Sequence, residues 1–454
     1  MNPITRRTFL HIGSQSLGIL CAGGCLSRFN RLYAAVAPQE DYKALVCIFM
    51  MGGNDGNNVI VPIKTESQSY EDYIRVRGET LGLKRDELVE IAAGHGKETY
   101  GLHPQLAPLR EFYLQSPQGK VAFVANIGTL LKPITKQQFQ QGAPVPGNLY
   151  SHSDQQQQWQ TASLPASPHT GWAGRAADVL ASVNLPSKFP LSVSTAGNSL
   201  FLTGDSPQAS MIKGSLGLSA ADGSPIVAAR DHAFQEILNF ETGLALIQKA
   251  NQVTADGLRA AKELNAALSV GSALQTVFPS SNLGKQLQQV AQIINVRKTL
   301  GMKRQIFFCS FGDFDTHSSA MPRQKKLLAD LAASMSAFYH GTMELGLEKQ
   351  VLTFTESEFG RTLQPSSGAG SDHAWGSHQI LMGGAVKAAD VYGRFPILAL
   401  NGPDDISGRG VWLPSISLDQ YGATFASWFG VPDDSLAQVF PNLASFTPQK
   451  LPFL

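Results

Sequence analysis

Residues 312–317 read GDFDTH and follow the apolar run RQIFFCSF. If the backbone stays extended there, Asp313, Asp315 and His317 point to one face, because side chains alternate along a strand. Two carboxylates and an imidazole so placed suit a divalent cation such as Zn, Mn or Ca. The same letters also suit a helix start, with Asp315 or Thr316 as the cap. Residues 371–378, SDHAWGSH, add Asp372, His373 and His378 in a glycine-bordered loop, a second group of metal-ligating types. In TESEFGRT, residues 355–362, Glu356 and Glu358 alternate ahead of Arg361. An acid beside an arginine reads either as a ligand with an anion clamp or as an internal salt bridge.

Two further stretches carry chemistry. YSHSDQQQQW, residues 150–159, sets Ser151 and Ser153 around His152, with Asp154 opening a helix. A hydroxyl there is a helix cap, or a nucleophile favoured by the dipole of the helix N-terminus. MGGNDGNN, residues 51–58, places Asp55 among Gly52, Gly53 and Gly56, where the chain can turn sharply and approach a ligand. An ordinary Asn/Asp/Gly turn reads the same way.

These residues need a scaffold. KALVCIFM (43–50), KVAFVANIG (120–128), RQIFFCSFG (304–312) and KQVLTFT (349–355) are continuous apolar runs, as in a parallel sheet covered on both faces. Helical spacing occurs over 103–115, 170–183 and 322–346, and through most of 225–300, while FPLSVST and NSLFLTG read as short strands. Strands alternating with helices predict an α/β sandwich with a largely parallel central sheet. In such sheets ligands sit beyond the carboxyl ends of the strands. Asp55, Asp313, Asp315, Glu356 and Glu358 all follow apolar strands.

The chain has 454 residues, 43% hydrophobic and 16% charged, with a formal net charge of +1. That balance gives no overall field to draw it to nucleic acid or an anionic membrane. Near the start, TRRTFL precedes the moderately apolar GILCAGG and the small-residue stretch RLYAAVAP. This is the order of a twin-arginine export signal over residues 1–37. It implies the twin-arginine translocase as a transient partner and a periplasmic or extracellular destination. The apolar segment is too short and interrupted to span a bilayer, so no transmembrane anchor is expected in the mature chain. Cys47 and Cys309 then remain as two buried free thiols rather than a disulfide framework.

Together, the twin-arginine start, GGNDGNN, SHSD, GDFDTH, SEFGRT, SDHAWG and the late DQYGATFASWFGV resemble domain-of-unknown-function family 1501, related to the alkaline phosphatase and sulfatase superfamily. The resemblance implies a three-layer α/β/α sandwich, alkaline-phosphatase-like, as one domain over 38–454 with a mainly helical insertion at about 225–300. It also implies a hydrolase of phosphate or sulfate esters, acting on a small-molecule or glycan substrate with one or two divalent ions. By it, Asp55 looks like the first-strand ligand, and Asp315 with His317 like a later pair, though Asp313 with His317 fits the superfamily spacing too. Glu358 stands where an Asp-His pair is usual, with Phe359 in the histidine's place. His373 or His378, beside Asp372, would be the late ligand, and Ser151 or Ser153 the nucleophile, with His152 and Arg361 at its side. The departure at Phe359 keeps a second expectation open, a non-catalytic periplasmic or surface binding protein on the same fold.

Overall fold

The apolar runs become the centre of one sheet. In the computed structural model they form β1 (Lys43–Met50), β5 (Val121–Gly128), β7 (Arg304–Phe311) and β8 (Val351–Glu356). The structure describes residues 41–115, 120–162, 169–206, 243–387 and 389–454, with scattered positions from 229 to 240. The export segment read over 1–37 lies outside these residues. With β6 (Ser192–Ser194), β9 (Ser377–Met382), β10 (Val391–Tyr392) and β11 (Ile416–Ser417), the sheet has eight strands. Their order is β10-β5-β9-β8-β1-β7-β6, and β11 also pairs with β5. Only β9 runs against its neighbours, β5 and β8; the other pairings are parallel.

Both faces are apolar because both are covered. Ala44, Val46, Ile48 and Met50 of β1 enter one core cluster, and Leu45, Cys47 and Phe49 enter the other. On the first face lie α7 (Asn282–Asn295) and α8 (Ala320–Glu344), through Leu287, Ile294, Leu328 and Met335. The second face takes α5 (Trp172–Val179) and α9 (Leu418–Phe429), through Trp172, Ala176, Tyr421 and Phe425. Burying each large apolar side chain contributes about 1.5–3 kcal/mol, so the two layers fix the strand register that aligns the loops. This is an α/β sandwich with a mostly parallel sheet.

The structure departs from the sequence expectations at several points. NSLFLTG contains a 3-10 turn, Leu200–Leu202, instead of a strand. The helix expected over 103–115 is a 3-10 turn, Pro104–Leu106, followed by α2 (Ala107–Tyr113). Within the segment expected as a helical insertion, α6 (Ala245–Val270) forms, but α7 packs against β7 and α8 as part of the sandwich. A second, antiparallel sheet of β2 (Ile60–Lys64), β3 (Val89–Ala93) and β4 (Glu98–Leu102) was not foreseen. The helix α1 (Tyr70–Leu81), between β2 and β3, was not foreseen either. The cysteines match expectation, since Cys47 and Cys309 are both free and buried.

Glu356, at the end of β8, is fully buried beside the Cys47 thiol (Sγ to Oε2 3.7 Å). Burial pushes its carboxyl well above the ordinary range, so the fold holds the protonated form. Because the folded value exceeds the unfolded one, this group's contribution to stability is complete below the ordinary carboxyl pKa and is lost as pH rises towards the folded value. Glu356→Gln should therefore be more stable than the wild type at pH 8, with the gap closing towards pH 4. Urea midpoints across that range measure it, and a gap that does not change with pH would show that Glu356 is not held neutral.

Candidate metal centre

Four segments of three loops meet at one end of the sheet. The parallel strands β1, β7 and β8 end there, and β9 begins there, so residues 51–55, 312–317, 357–361 and 371–376 lie together. Their packing explains the glycines after β1. A Cβ on Gly52 (φ +117) would lie 2.3 Å from the Asp315 nitrogen, and one on Gly53 (φ +82) 2.4 Å from the Phe359 ring. Both positions combine positive φ with close approach, which only glycine tolerates.

After β7 burial alternates, with Phe314 and Thr316 buried and Asp313, Asp315 and His317 exposed. The backbone is not extended throughout, since Asp313 has φ +77, and Asp313 is not part of the group described below. Neither Asp315 nor Thr316 caps α8, whose N-cap is Ser319. Arg323 of α8 donates to the Asp313 and Asp315 carbonyls (2.9 and 3.0 Å). Arg361 donates to the Asp315 carboxylate. Partial burial works against the Asp315 charge, but the Arg361 guanidinium outweighs it and holds the carboxyl below its ordinary value.

His152, Asp315 and His373 form a group whose ligand atoms all lie within 4.8 Å of one another. His152 is the first residue of α4 (His152–Thr161). Its Nδ1 is 2.9 Å from Glu358 Oε1, and its Nε2 is 3.5 Å from Asp315 Oδ2. The bond to Glu358 raises the His152 pKa despite partial burial. His373 turns Nδ1 to the Tyr150 carbonyl (2.7 Å), leaving Nε2 3.5 Å from Asp315 Oδ1. Burial is the largest influence on His373 and keeps its pKa low.

His317 borders this group. Its Nδ1 faces Asp372 Oδ1 (3.1 Å), and its Nε2 is 3.2 Å from Asp315 Oδ1 and 2.9 Å from His373 Nε2. An imidazole that commits its Nδ1–H to a carboxylate or carbonyl leaves the Nε2 lone pair for a metal. With Nδ1 committed in His317 and His373, two lone pairs face each other at 2.9 Å, a repulsion that a shared proton or a cation relieves. The donor set of imidazole nitrogens with one carboxylate fits a borderline ion such as Zn or Mn. It fits Ca poorly, since that ion takes six to eight oxygens.

The remaining sequence candidates take other places. Glu358 is buried and accepts from Gly52 N (2.7 Å), Gln156 Nε2 (2.9 Å) and His152. Burial favours its neutral form, yet those donors prevail and hold its pKa down; it orients His152 from behind. Asp372 serves His317 in the same way and is itself paired with Arg409 (2.6 Å). Asp55 lies outside the group, buried in an ion pair with Arg77. His378 is also outside: its Nδ1 accepts from Asn126 N (3.0 Å), its ring stacks on Phe395, and burial lowers its pKa to about 3.

Arg361 is fully buried and donates to four backbone carbonyls as well as Asp315, so it ties loops together instead of facing solvent as an anion clamp. Ser151 caps α4, accepting from Asp154 N (3.5 Å) and donating to Asp154 Oδ2 (2.5 Å), and Ser153 is exposed beside it. Phe359 packs on His152 and His373, ring centres 4.9 and 4.5 Å away. The sequence reading did not include Tyr150, whose part is played by a backbone carbonyl, or Gln156 and Arg409, which have no motif of their own.

A family model described as "Protein of unknown function (DUF1501)" matches residues 42–407. That stretch includes His152, Asp315, His373 and His317, with Tyr150, Gln156, Glu358 and Asp372 behind them, and ends just before Arg409. No curated protein matches the chain.

Two substitutions separate the parts. Glu358→Ala should weaken Zn(II) binding by about 10- to 100-fold, as expected for an outer partner of a ligating histidine. Asp55→Asn should leave Zn(II) affinity unchanged but cost about 3–5 kcal/mol of stability, because it strands the buried Arg77 charge. Calorimetric titration and urea unfolding measure the two effects. Loss of Zn(II) with stability intact in Asp55→Asn would instead put Asp55 in the centre.

Proposed function

The chain belongs to the DUF1501 family, and we propose that it is an exported, metal-dependent hydrolase of phosphate or sulfate esters on an alkaline-phosphatase-like fold. The observation that carries this reading is the convergence of His152, Asp315 and His373, bordered by His317, beyond the carboxyl ends of parallel strands. In such sheets this is where ligands bind. These residues would hold one divalent ion. Among the described residues the positions expected to hold a second ion are taken up otherwise, since Asp55 is paired with Arg77, Glu358 is surrounded by donors, and Phe359 is a hydrocarbon ring.

A divalent cation would supply Lewis acidity, polarising an ester oxygen and easing deprotonation of a hydroxyl or water. Neutral imidazoles and a single carboxylate leave such a dication with a net positive charge, which favours an anionic ester. The N-terminus of α4, where His152 sits, adds the positive end of a helix dipole. Ser151 directly precedes His152, and Asp154 Oδ2 is placed to accept its hydroxyl proton. In the proposed reaction Ser151 Oγ bonds to phosphorus or sulfur as the ester P–O or S–O bond breaks, the serine proton passes to Asp154, and Asp154 returns it to the departing oxygen, which leaves as the alcohol. Water then attacks the seryl ester, giving one proton to Asp154, which passes it to Ser151 Oγ as the serine bond breaks and phosphate or sulfate is released.

One feature favours the second reading, a binding protein on the same fold: Arg361 is spent on protein carbonyls and is not available as a clamp for the substrate. Export belongs to the proposal as well, resting on Arg6 and Arg7 ahead of the apolar segment. Among the described residues no helix is long and apolar enough to cross a membrane.

Aryl phosphate and aryl sulfate assays of the metal-loaded protein test the reading. Turnover should fall by on the order of 10³-fold or more in Ser151→Ala, far beyond the roughly 1 kcal/mol that loss of its helix cap costs, and with Zn(II) still bound. Loss in Ser153→Ala instead moves the nucleophile by two residues. If neither ester class is turned over with Zn(II) or Mn(II), the binding protein replaces the enzyme.

A further inference from the structure

Residues 129–151 leave the end of β5 and return to the metal centre at the start of α4. Both ends of this strap grip the segment carrying His373. Trp375 Nε1 donates to the Thr129 carbonyl (2.9 Å), and His373 Nδ1 meets the Tyr150 carbonyl (2.7 Å). The strap closes in a turn in which Ser151 N donates to the Asn148 carbonyl (3.1 Å). Tyr150 occupies the third position of that turn with φ +75, where a left-handed backbone ordinarily calls for glycine or asparagine. Asn148, at φ +52, is the kind of residue that tolerates this region. A tyrosine there is an outlier, and such outliers cluster where a site holds the backbone in place.

The two residues after Asn148 and Leu149 have distinct consequences. Tyr150 presents the carbonyl that fixes which nitrogen of His373 faces the centre. Ser151 caps α4, which makes His152 the helix's first residue. We propose that the Asn148–Ser151 turn positions two of the three members of the group at once, with Tyr150 as its positioning residue; the inference rests on the metal reading above. The turn is braced independently of any ion. Asn148 Nδ2 donates to Asp154 Oδ1 (3.1 Å) and Gln158 Nε2 to the Gly147 carbonyl (2.6 Å), while Leu149 and Tyr150 pack on the small cluster around Trp375. If Tyr150 relaxed to negative φ, its carbonyl would turn away from Nδ1. His373 would then be free to change tautomer and lose its Nε2 lone pair.

The test uses three variants of the full chain that all delete the phenol ring and differ only in backbone preference. Tyr150→Asn and Tyr150→Gly accept positive φ, whereas Tyr150→Val resists it strongly. Zn(II) affinity, from competition with a chromogenic chelator, should be alike in the Asn and Gly variants and at least about tenfold weaker in Val. If the Val variant does not fold, Tyr150→Ala should show the same order with a smaller gap. A merely structural role for Tyr150 would lower all melting temperatures together and leave the Zn(II) affinities of the Asn and Val (or Ala) variants equal, which overturns the proposal. A wild type that takes up no Zn(II) overturns the metal reading itself, and this inference with it.

Discussion

The buried guanidinium of Arg361 holds the working end of the sheet together. Its Nε donates to the Gly53 carbonyl (2.9 Å), Nη1 to that of Ser371 (3.0 Å), and Nη2 to those of Gly52 and Phe314 and to the Asp315 carboxylate. A buried charge is tolerable only when paired and fully hydrogen-bonded. An arginine fork can meet that demand only if several acceptors are brought to it. Here the acceptors come from the loops after β1 and β7 and from the loop before β9. Satisfying one side chain therefore fixes the relative positions of three loops that are far apart in sequence.

Orientation within that frame comes from partners behind the candidate ligands. Glu358, the Tyr150 carbonyl and Asp372 each engage the Nδ1 of one histidine. Asp315 is the hub, with Oδ1 towards Arg361, His317 and His373 and Oδ2 towards His152. The packing of Phe359 on two of the imidazoles limits their rotation. Precise donor placement thus depends on residues that would never touch an ion, as is general for metal sites.

Much of the scaffold was legible because buried parallel strands announce themselves as continuous apolar runs, and β1, β5, β7 and β8 all do. Asp315 and His373 were legible for a different reason, since their residue types and strand-end positions restrict what they can do. Residue type alone could not separate Asp315 from Asp55, because a carboxylate beside a turn is equally suited to an ion or to a buried arginine. Asp55 is buried against Arg77, 22 positions further on, and lies outside the group, whereas Asp315 keeps one side open to His152 and His373. His378 and His373 stand in one short motif, yet β9 begins between them and carries His378 into the sheet interior. The second sheet was missed because its strands are short and only partly buried, VEIAA with Val89 and Glu90 outside the core. No side-chain pattern could reveal Tyr150, whose contribution is a carbonyl.

Arg77 and Arg361 together suggest why the edge is built with so much fixed charge. Arg77 donates to the Thr362 and Leu363 carbonyls (3.2 Å each) and pairs with Asp55, and Asn57 Nδ2 donates to the Arg361 carbonyl (2.8 Å). The segment from Arg361 to Leu363 is therefore clamped from the β1 loop and from α1 as well as through its own arginine. Asp55 neutralises the inner cation away from the group, while Asp315 meets the outer one at the group itself. A cation placed there would share Asp315 with Arg361, so the carboxylate could not fully neutralise both. The surplus positive charge would lie at the solvent side, beside His317 and the N-terminus of α4. On this electrostatic argument, the arrangement that secures the loops also biases the site towards anions, without Arg361 itself reaching into solvent to bind them.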